Sequence, residues 1–245
     1  MPLEALILSK DENALRVLRR IFADIGIETK TMISSGEALQ ALARHKYDAV
    51  VVDCDDVPDG RDVLEALRTG KSNRSAIAFA LLNGGTTVKQ ANALGANFVL
   101  DKPLLMDRVS RAVRAAHGLI MRERRRYYRH ELNISMNVTS GPREVGATLI
   151  NMSEGGCAIR PAATAVFAGL VSFKFTLPHT TIPILGNGEV CWNKPDGTVG
   201  IHFIQIDTRS KTTFDSWLIE HTEIEVKKPN RPGISASTAL RSETA

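Results

Sequence analysis

Cysteine is scarce in this sequence: the 245 residues include three, at Cys54, Cys157 and Cys191. They form no CxxC pair, and they show no Cys/His spacing of the kind that binds zinc. Scattered cysteines like these are usually packed, reduced thiols. The sequence therefore predicts neither a disulfide framework nor a structural zinc site.

Long apolar runs are absent as well. No stretch reaches the roughly 18 consecutive apolar residues that a membrane-spanning helix needs. The opening residues, Met1-Pro2-Leu3-Glu4, lack the basic and apolar regions of a signal peptide. With the unpaired cysteines, these absences predict a cytoplasmic protein without a membrane span.

The basic residues are unevenly distributed. The net charge is only +4, yet five arginines fall within eight positions: Arg122, Arg124, Arg125, Arg126 and Arg129. A cluster of this kind indicates either an anionic partner or a solvated basic linker. No recognition helix, aromatic RNA-binding strand or zinc module accompanies it, so nucleic acid is not the expected partner.

The first half of the chain, residues 1–116, alternates between short apolar runs and helical patterns. Five short segments, most of them apolar, predict strands at residues 5–8, 28–33, 48–52, 76–82 and 97–100, with helical spacing between them. Continuous apolar strands separated by helices indicate a parallel sheet covered on both faces. We predict a doubly wound α/β domain with five parallel strands, whose site-forming residues lie at the carboxyl ends of the strands.

Residues at those ends resemble the receiver domain of two-component response regulators. Asp53 closes the third predicted strand, and Lys102-Pro103 closes the fifth. The resemblance implies that Asp53 is a phosphoryl acceptor stabilised by Lys102, with two acids after the first strand to hold magnesium. Here Ser9-Lys10 replace that pair and only Asp11 follows, while the fourth strand ends without a hydroxyl residue.

These substitutions matter because phosphoryl transfer depends on a metal held by oxygen ligands. We expect the Lys10 ammonium to repel magnesium and to pair with Asp53 or Asp55 instead. We therefore interpret residues 1–116 as an interaction domain with the receiver fold that does not bind magnesium. The alternative is a receiver domain that is phosphorylated. Outside this pocket the sequence offers no nucleophile–base pair or metal set, so an enzyme is not expected.

The junction between the halves, residues 117–130, is predicted to be helical and arginine-rich. An apolar stripe at helical spacing runs from Val109 to Ile120, and the arginines follow it. Gly118 weakens a helix there by about 1 kcal/mol relative to alanine. An extension of the helix could act as a lever or as a dimer contact, and the oligomeric state stays open.

The second half, residues 131–226, changes to short alternating strands. Turns rich in Gly, Pro, Asn and Asp separate them, which predicts a small antiparallel β-barrel. Phe214, Trp217, Leu218 and His221 form one face of a closing helix. The remaining residues, 227–245, are polar and predicted to be disordered.

Two motifs in this half make residues 122–222 resemble a PilZ domain. The first is R-x-x-x-R at Arg125 and Arg129; the second is N-x-S-x-x-G at Asn151, Ser153 and Gly156. The resemblance implies that these five residues bind cyclic di-GMP, with the arginine segment folding over the ligand. Arg124 and Arg160 flank the motifs as secondary contacts.

The residue types suit that ligand, which is a dianion with two guanines. An arginine fork pairs with the O6/N7 edge of guanine and also with phosphate. The Asn151 amide and the Ser153 hydroxyl can hydrogen-bond, and a glycine lets the backbone approach closely. Two alternatives stay open: the arginines as a solvated linker beside an ordinary turn, and a phosphorylation-driven regulator whose second half only contacts an unknown downstream protein.

Overall fold

The computed structural model describes residues 2–70, 72–162 and 167–227, which form two domains connected by one long helix. The predicted disordered tail, 227–245, lies outside the described residues except for Lys227, which ends the last helix. No described helix combines the length and apolar character that crossing a membrane requires.

The first domain contains a five-stranded parallel sheet with the strand order β2-β1-β3-β4-β5. The strands are β1 (Leu3–Leu8), β2 (Ile27–Met32), β3 (Ala49–Asp53), β4 (Ile77–Leu82) and β5 (Phe98–Asp101). This order is the doubly wound arrangement found in receiver domains, in which ligands bind at the carboxyl edge. The predicted fold of this half is confirmed.

Five helices cover both faces of that sheet. They are α1 (Glu12–Asp24), α2 (Ser35–Arg44), α3 (Gly60–Thr69), α4 (Val88–Ala93) and α5 (Met106–Tyr127). The helices α1 and α5 pack on one side of the sheet and α2 and α3 on the other, each side closing its own buried apolar core. Because β3 is buried along its whole length, Asp53 at its end is held inside the domain.

Helix α5 continues past Ile120 into the junction, as predicted for that segment, and takes in most of the arginine cluster. Val109, Val113 and Ile120 lie in the core of the first domain, so the front of the helix is fixed there. Gly118 does not interrupt it. The junction is therefore a continuation of the first domain's last helix, and the second domain begins at His130.

The second domain is a closed six-stranded barrel, paired in the order β10-β11-β8-β7-β6-β9 and antiparallel throughout the pairs described. Its strands are β6 (His130–Ser140), β7 (Arg143–Ser153), β8 (Gly156–Pro161), β9 (Leu170–Thr176), β10 (Pro183–Asn193) and β11 (Val199–Ile206). Helix α6 (Thr208–Lys227) packs Phe214, Trp217 and Leu218 into the barrel core. The predicted barrel with a C-terminal helix is confirmed.

Candidate functional site

The R-x-x-x-R motif spans the end of α5 and the start of the barrel. Arg125 lies half-buried in the last turn of the helix, and Arg129 is exposed. The next residue, His130, is buried and anchors the segment: its ring packs edge-on against Trp217, and its Nε2 lies 3.2 Å from the Thr222 hydroxyl. The position of the arginines is thus fixed by contacts with α6.

The N-x-S-x-x-G motif forms the turn between β7 and β8. Ser153 is buried and its hydroxyl donates to the Gly156 carbonyl at 3.4 Å. At Gly156 a Cβ atom would collide with the carbonyl oxygen of Ile201 on β11. Glycine is required at this position because the neighbouring strand passes too close for any side chain.

The two motifs, far apart in the sequence, meet in the structure. The Arg129 guanidinium donates to Asn151 Oδ1 at 2.9 Å, across 22 residues of sequence. The amide of Glu154, inside the turn, donates to the carbonyl of Arg125 at 3.1 Å. The end of α5 therefore lies directly against the turn, and four motif residues form one surface.

The buried thiol of Cys157 lies beneath this surface, and its protonation state decides whether it offsets the charge of the arginines. Burial raises the pKa of the Cys157 thiol to about 12, against the opposing effect of the nearby Arg129. Cys157 is therefore neutral at physiological pH. The thiol therefore adds no negative charge beneath the Arg129 guanidinium.

The two secondary residues lie elsewhere. Arg124 turns toward the first domain: its Nη1 is 3.3 Å from both carboxylate oxygens of Asp48, and its guanidinium lies 4.8 Å from the centre of the Tyr128 ring. Arg160 is exposed on β8, opposite Thr148. The structure thus assigns Arg124 to the contact that ties the end of α5 to the first domain. No sequence motif points to Asp48, which stands 76 positions away.

The acidic residues of the first domain gather around one ammonium group. Lys102 Nζ lies 2.5 Å from Asp53, 2.6 Å from Asp56 and 3.6 Å from Asp11. Burial opposes the charge of Lys102, but its hydrogen bonds to Asp53 and Asp56 raise its pKa. Asp53 also accepts a 2.8 Å hydrogen bond from the Ser9 hydroxyl.

The expected pairing of Lys10 with Asp53 or Asp55 is wrong. Ser9 is buried and points at Asp53, whereas Lys10 is exposed. Successive side chains of an extended segment point to opposite sides, so a one-residue step sends the lysine to solvent. Lys102 alone supplies the ammonium in contact with Asp53 among the described residues.

A second carboxylate at this edge, Asp55, holds the loop after β4. It accepts hydrogen bonds from the Thr86 hydroxyl at 2.6 Å, the Asn83 amide at 2.6 Å and the Gly85 amide at 3.1 Å. Partial burial raises the pKa of Asp55, but these bonds outweigh that effect and lower it. Sequence reasoning missed this role, because Thr86 stands four residues beyond the strand end.

Magnesium does not fit the acidic residues as they are arranged. One carboxylate oxygen of Asp11 accepts hydrogen bonds from the backbone amides of Asn13 and Ala14 at the start of α1. The Lys102 ammonium occupies the space between the three carboxylates. Within the part of the chain that the structure describes, no three His, Cys, Asp or Glu side chains are grouped to hold a metal ion.

Comparison with known families identifies the second half. Residues 123–220 match the family model described as the PilZ domain. The match includes both arginines of the first motif and the whole N-x-S-x-x-G turn. This half of the chain is a PilZ domain, and the resemblance seen in the sequence is confirmed. No curated protein matches the chain.

Receiver domains are among the solved structures similar to the chain, and they align with about half of it. The receiver domain of a sensor histidine kinase from Pseudomonas aeruginosa PAO1, solved with a coordinated magnesium ion, is 21% identical and covers 48% of this chain and 99% of its own, with a TM-score of 0.43. A CheY-like receiver domain from Methylobacillus flagellatus is 23% identical over 47% and 98%, with a TM-score of 0.41. A third, from Methanospirillum hungatei JF-1, is 17% identical over 50% and 99%, with a TM-score of 0.44.

Proposed function

We propose that this chain is a signalling receptor for cyclic di-GMP, which binds where the end of α5 meets the β7–β8 turn. The contact between Arg129 and Asn151 carries the proposal, since it joins the two motifs into one surface. The PilZ match over 123–220 supports the same ligand.

Each motif residue has a distinct task in this proposal. Arg125 and Arg129 pair with guanine edges and phosphates of the ligand, to which the planar guanidinium fork is well matched. The Asn151 amide and the Ser153 hydroxyl position the ligand by hydrogen bonds. Gly156 keeps β8 close to β11, so the floor of the site stays in place.

Ligand binding replaces contacts that the arginines make without it. Arg129 is exposed, so its side chain can leave Asn151 and turn onto a phosphate at low cost. The freed Asn151 amide is then available to the ligand. The exchange preserves the number of hydrogen bonds while adding charge neutralisation, which favours the bound state.

The same helical turn provides the coupling to the first domain. Arg124 is held by Asp48, while the neighbouring Arg125 carbonyl is held by Glu154 of the barrel. A ligand that binds the two arrangements of this turn with different affinity shifts their populations. We propose that this shift changes the affinity for a downstream protein and that no catalysis is involved.

Calorimetric titration of cyclic di-GMP into the full chain tests the proposal. We expect saturable binding to the wild type and at least a tenfold loss of affinity in Arg125→Ala and Arg129→Ala, because each removes a charged fork. Arg114→Ala, an exposed arginine on the same helix, is the matched control and should bind as the wild type does. No heat with the wild type would refute the proposal.

The second candidate is a regulator driven by phosphorylation of Asp53. The 2.5 Å pair of Asp53 with Lys102 is the observation in its favour, since a lysine in this place can stabilise a phosphoryl group. Incubation with acetyl phosphate and magnesium, followed by intact-mass analysis, distinguishes the two. Stoichiometric labelling that disappears in Asp53→Asn would favour phosphorylation as the input; no labelling beside normal ligand binding favours the receptor.

A further inference from the structure

A cleft separates the body of the first domain from the cationic end of α5. It encloses about 540 Å³, and an adjoining lobe of about 410 Å³ shares Arg44, Lys46 and Tyr127 with it. Arg124 and Tyr127, three apart on the helix, line the cleft, whereas Arg125, Arg129 and Asn151 do not. The cleft is therefore separate from the surface proposed for cyclic di-GMP.

Three acidic side chains line the cleft, and each already has a cationic partner. Glu4 pairs with Lys30 at 3.5 Å, Asp48 with Arg124 at 3.3 Å, and Glu123 with Arg126 at 3.4 Å.

The adjoining lobe is lined by cations without such partners. Arg44, Lys46 and Arg74 make no ion pair with any described residue, and no acid lines this lobe. Ser72 and Ser75 stand beside them as hydroxyl donors. Asp48 and Glu123 of the neighbouring cleft partly offset the charge of Lys46. Arg44 and Arg74 face the same concave space, and together the three cations produce a positive potential that attracts a phosphate-sized anion.

An exposed aromatic ring borders both spaces. Tyr127 is 46% exposed although it is large and apolar, and the Lys46 ammonium lies 3.5 Å from the centre of its ring. Such a ring beside a positive groove is the arrangement on which nucleic-acid bases stack.

The larger space also contains an unsatisfied acceptor. Glu123 Oε1 accepts from Arg126, but Oε2 is buried and has no hydrogen-bond partner among the described residues. A buried carboxylate oxygen without a donor is unfavourable and needs an explanation. A ligand with N–H donors would satisfy it.

We propose that this cleft binds a nucleoside phosphate. The phosphate lies between Arg44, Lys46 and Arg74, the base stacks on Tyr127, and an N–H edge of the base faces Glu123 Oε2. The volume suits a mononucleotide, because small-ligand sites usually measure about 300–1,000 Å³. The site lies on the interdomain helix but is independent of the cyclic di-GMP proposal, since the two sets of residues do not overlap.

Titration of GMP into the full-length chain, followed by calorimetry and by NMR, tests this site, because guanine offers two adjacent N–H donors to a carboxylate. We expect saturable binding, at least tenfold weaker in the double variant Arg44→Ala/Arg74→Ala and several-fold weaker in Tyr127→Ala. The variant Arg111→Ala/Arg114→Ala removes the same charge from an exposed stretch of α5 and should bind GMP normally.

Further titrations distinguish this site from the motif surface and from a site that binds any anion. GMP binding should persist in Arg125→Ala, and cyclic di-GMP binding should persist in Arg44→Ala/Arg74→Ala. Inorganic phosphate should bind at least tenfold more weakly than GMP. The proposal is overturned if GMP does not saturate, if the double variant binds it unchanged, if Arg125→Ala abolishes it, or if phosphate alone binds equally well.

Discussion

Arg124, near the end of α5, and Asp48, just before β3, form a largely buried ion pair, with 3.3 Å between the guanidinium nitrogen and each carboxylate oxygen. Their side chains are 16% and 5% exposed. Burial raises the pKa of Asp48, and Arg124, together with the Glu4 amide, counteracts the rise. The last turn of α5 is thereby attached to the first domain on one side while the barrel holds it on the other.

Removal of Arg124 should destabilise the chain. Arg124→Ala leaves Asp48 buried with the Glu4 amide as its remaining hydrogen-bond donor, so we expect a loss of about 2 kcal/mol in the free energy of unfolding. Urea denaturation at neutral pH measures this loss. Arg122→Ala, an exposed neighbour on the same helix, should change it by less than about 0.5 kcal/mol. Equal stability of both variants would show that the ion pair contributes nothing.

The turn glycines differ sharply in what they tolerate. Gly156→Ala would place a methyl group against the carbonyl of Ile201, so we expect a loss of about 1–3 kcal/mol in stability and weaker ligand binding. At Gly155 the same methyl group would meet only the Arg126 carbonyl at 3.9 Å, an ordinary contact. Gly155→Ala is therefore the control. Thermal unfolding of both variants checks the difference, and equal melting temperatures would contradict it.

Asn151 is expected to act as an acceptor for Arg129, which makes the choice of substitution informative. Asn151→Asp retains an oxygen at the 2.9 Å contact but holds Arg129 in a charged pair and places a carboxylate beside a dianionic ligand, so cyclic di-GMP affinity should fall at least tenfold. Asn151→Ala removes the acceptor and should cost about 1 kcal/mol, close to a fivefold loss. Calorimetry of the two variants compares them. A smaller loss for the aspartate than for the alanine would oppose the assigned role.

Thr86 should lose its effect on stability in acid. Its hydroxyl helps to lower the pKa of Asp55, so the folded state binds a proton less readily than the unfolded chain. This contribution is complete above the ordinary carboxyl pKa and is lost as pH falls through the lowered value. Thr86→Val should cost about 1 kcal/mol at pH 7 and less near pH 2–3.

Two measurements check that prediction. Urea denaturation at both pH values gives the difference between wild type and Thr86→Val, and NMR titration of the Asp55 carboxyl should show a higher pKa in the variant. Ser75→Ala, far from this loop, serves as the control. A stability difference independent of pH would indicate that the hydroxyl acts through packing rather than through Asp55.

The fold was predictable because its signals are local. Apolar runs with helical stretches between them specify the parallel sheet, and the alternation after residue 130 specifies the barrel. The contact between Arg129 and Asn151 could also be predicted from the sequence, because both residues belong to motifs of one family. Each of these inferences depends on neighbours in the sequence or on a known pattern.

Other contacts depend on three-dimensional proximity alone. Whether Lys10 points to Asp53 or to solvent depends on which of two successive residues, Ser9 or Lys10, faces the sheet edge. The residues after β1 carry no apolar pattern that specifies this choice. The helical junction after Ile120 was predicted, but the end of α5 at Tyr127 lies among charged residues, where no apolar stripe specifies it. Asp48 and Arg124 are 76 positions apart and belong to no motif, so their pairing appears only in the fold.

The continuity of α5 leaves no place at which the chain can be divided into independent halves. A break before residue 106 would strip Val109, Val113 and Ile120 from the first core and expose them on the barrel fragment. A break after Tyr127 would keep that core intact but leave Arg125 on the wrong fragment. Helix α5 belongs to the core of the first domain and also carries Arg125 of the binding surface, so unfolding of the first domain would also disrupt that surface.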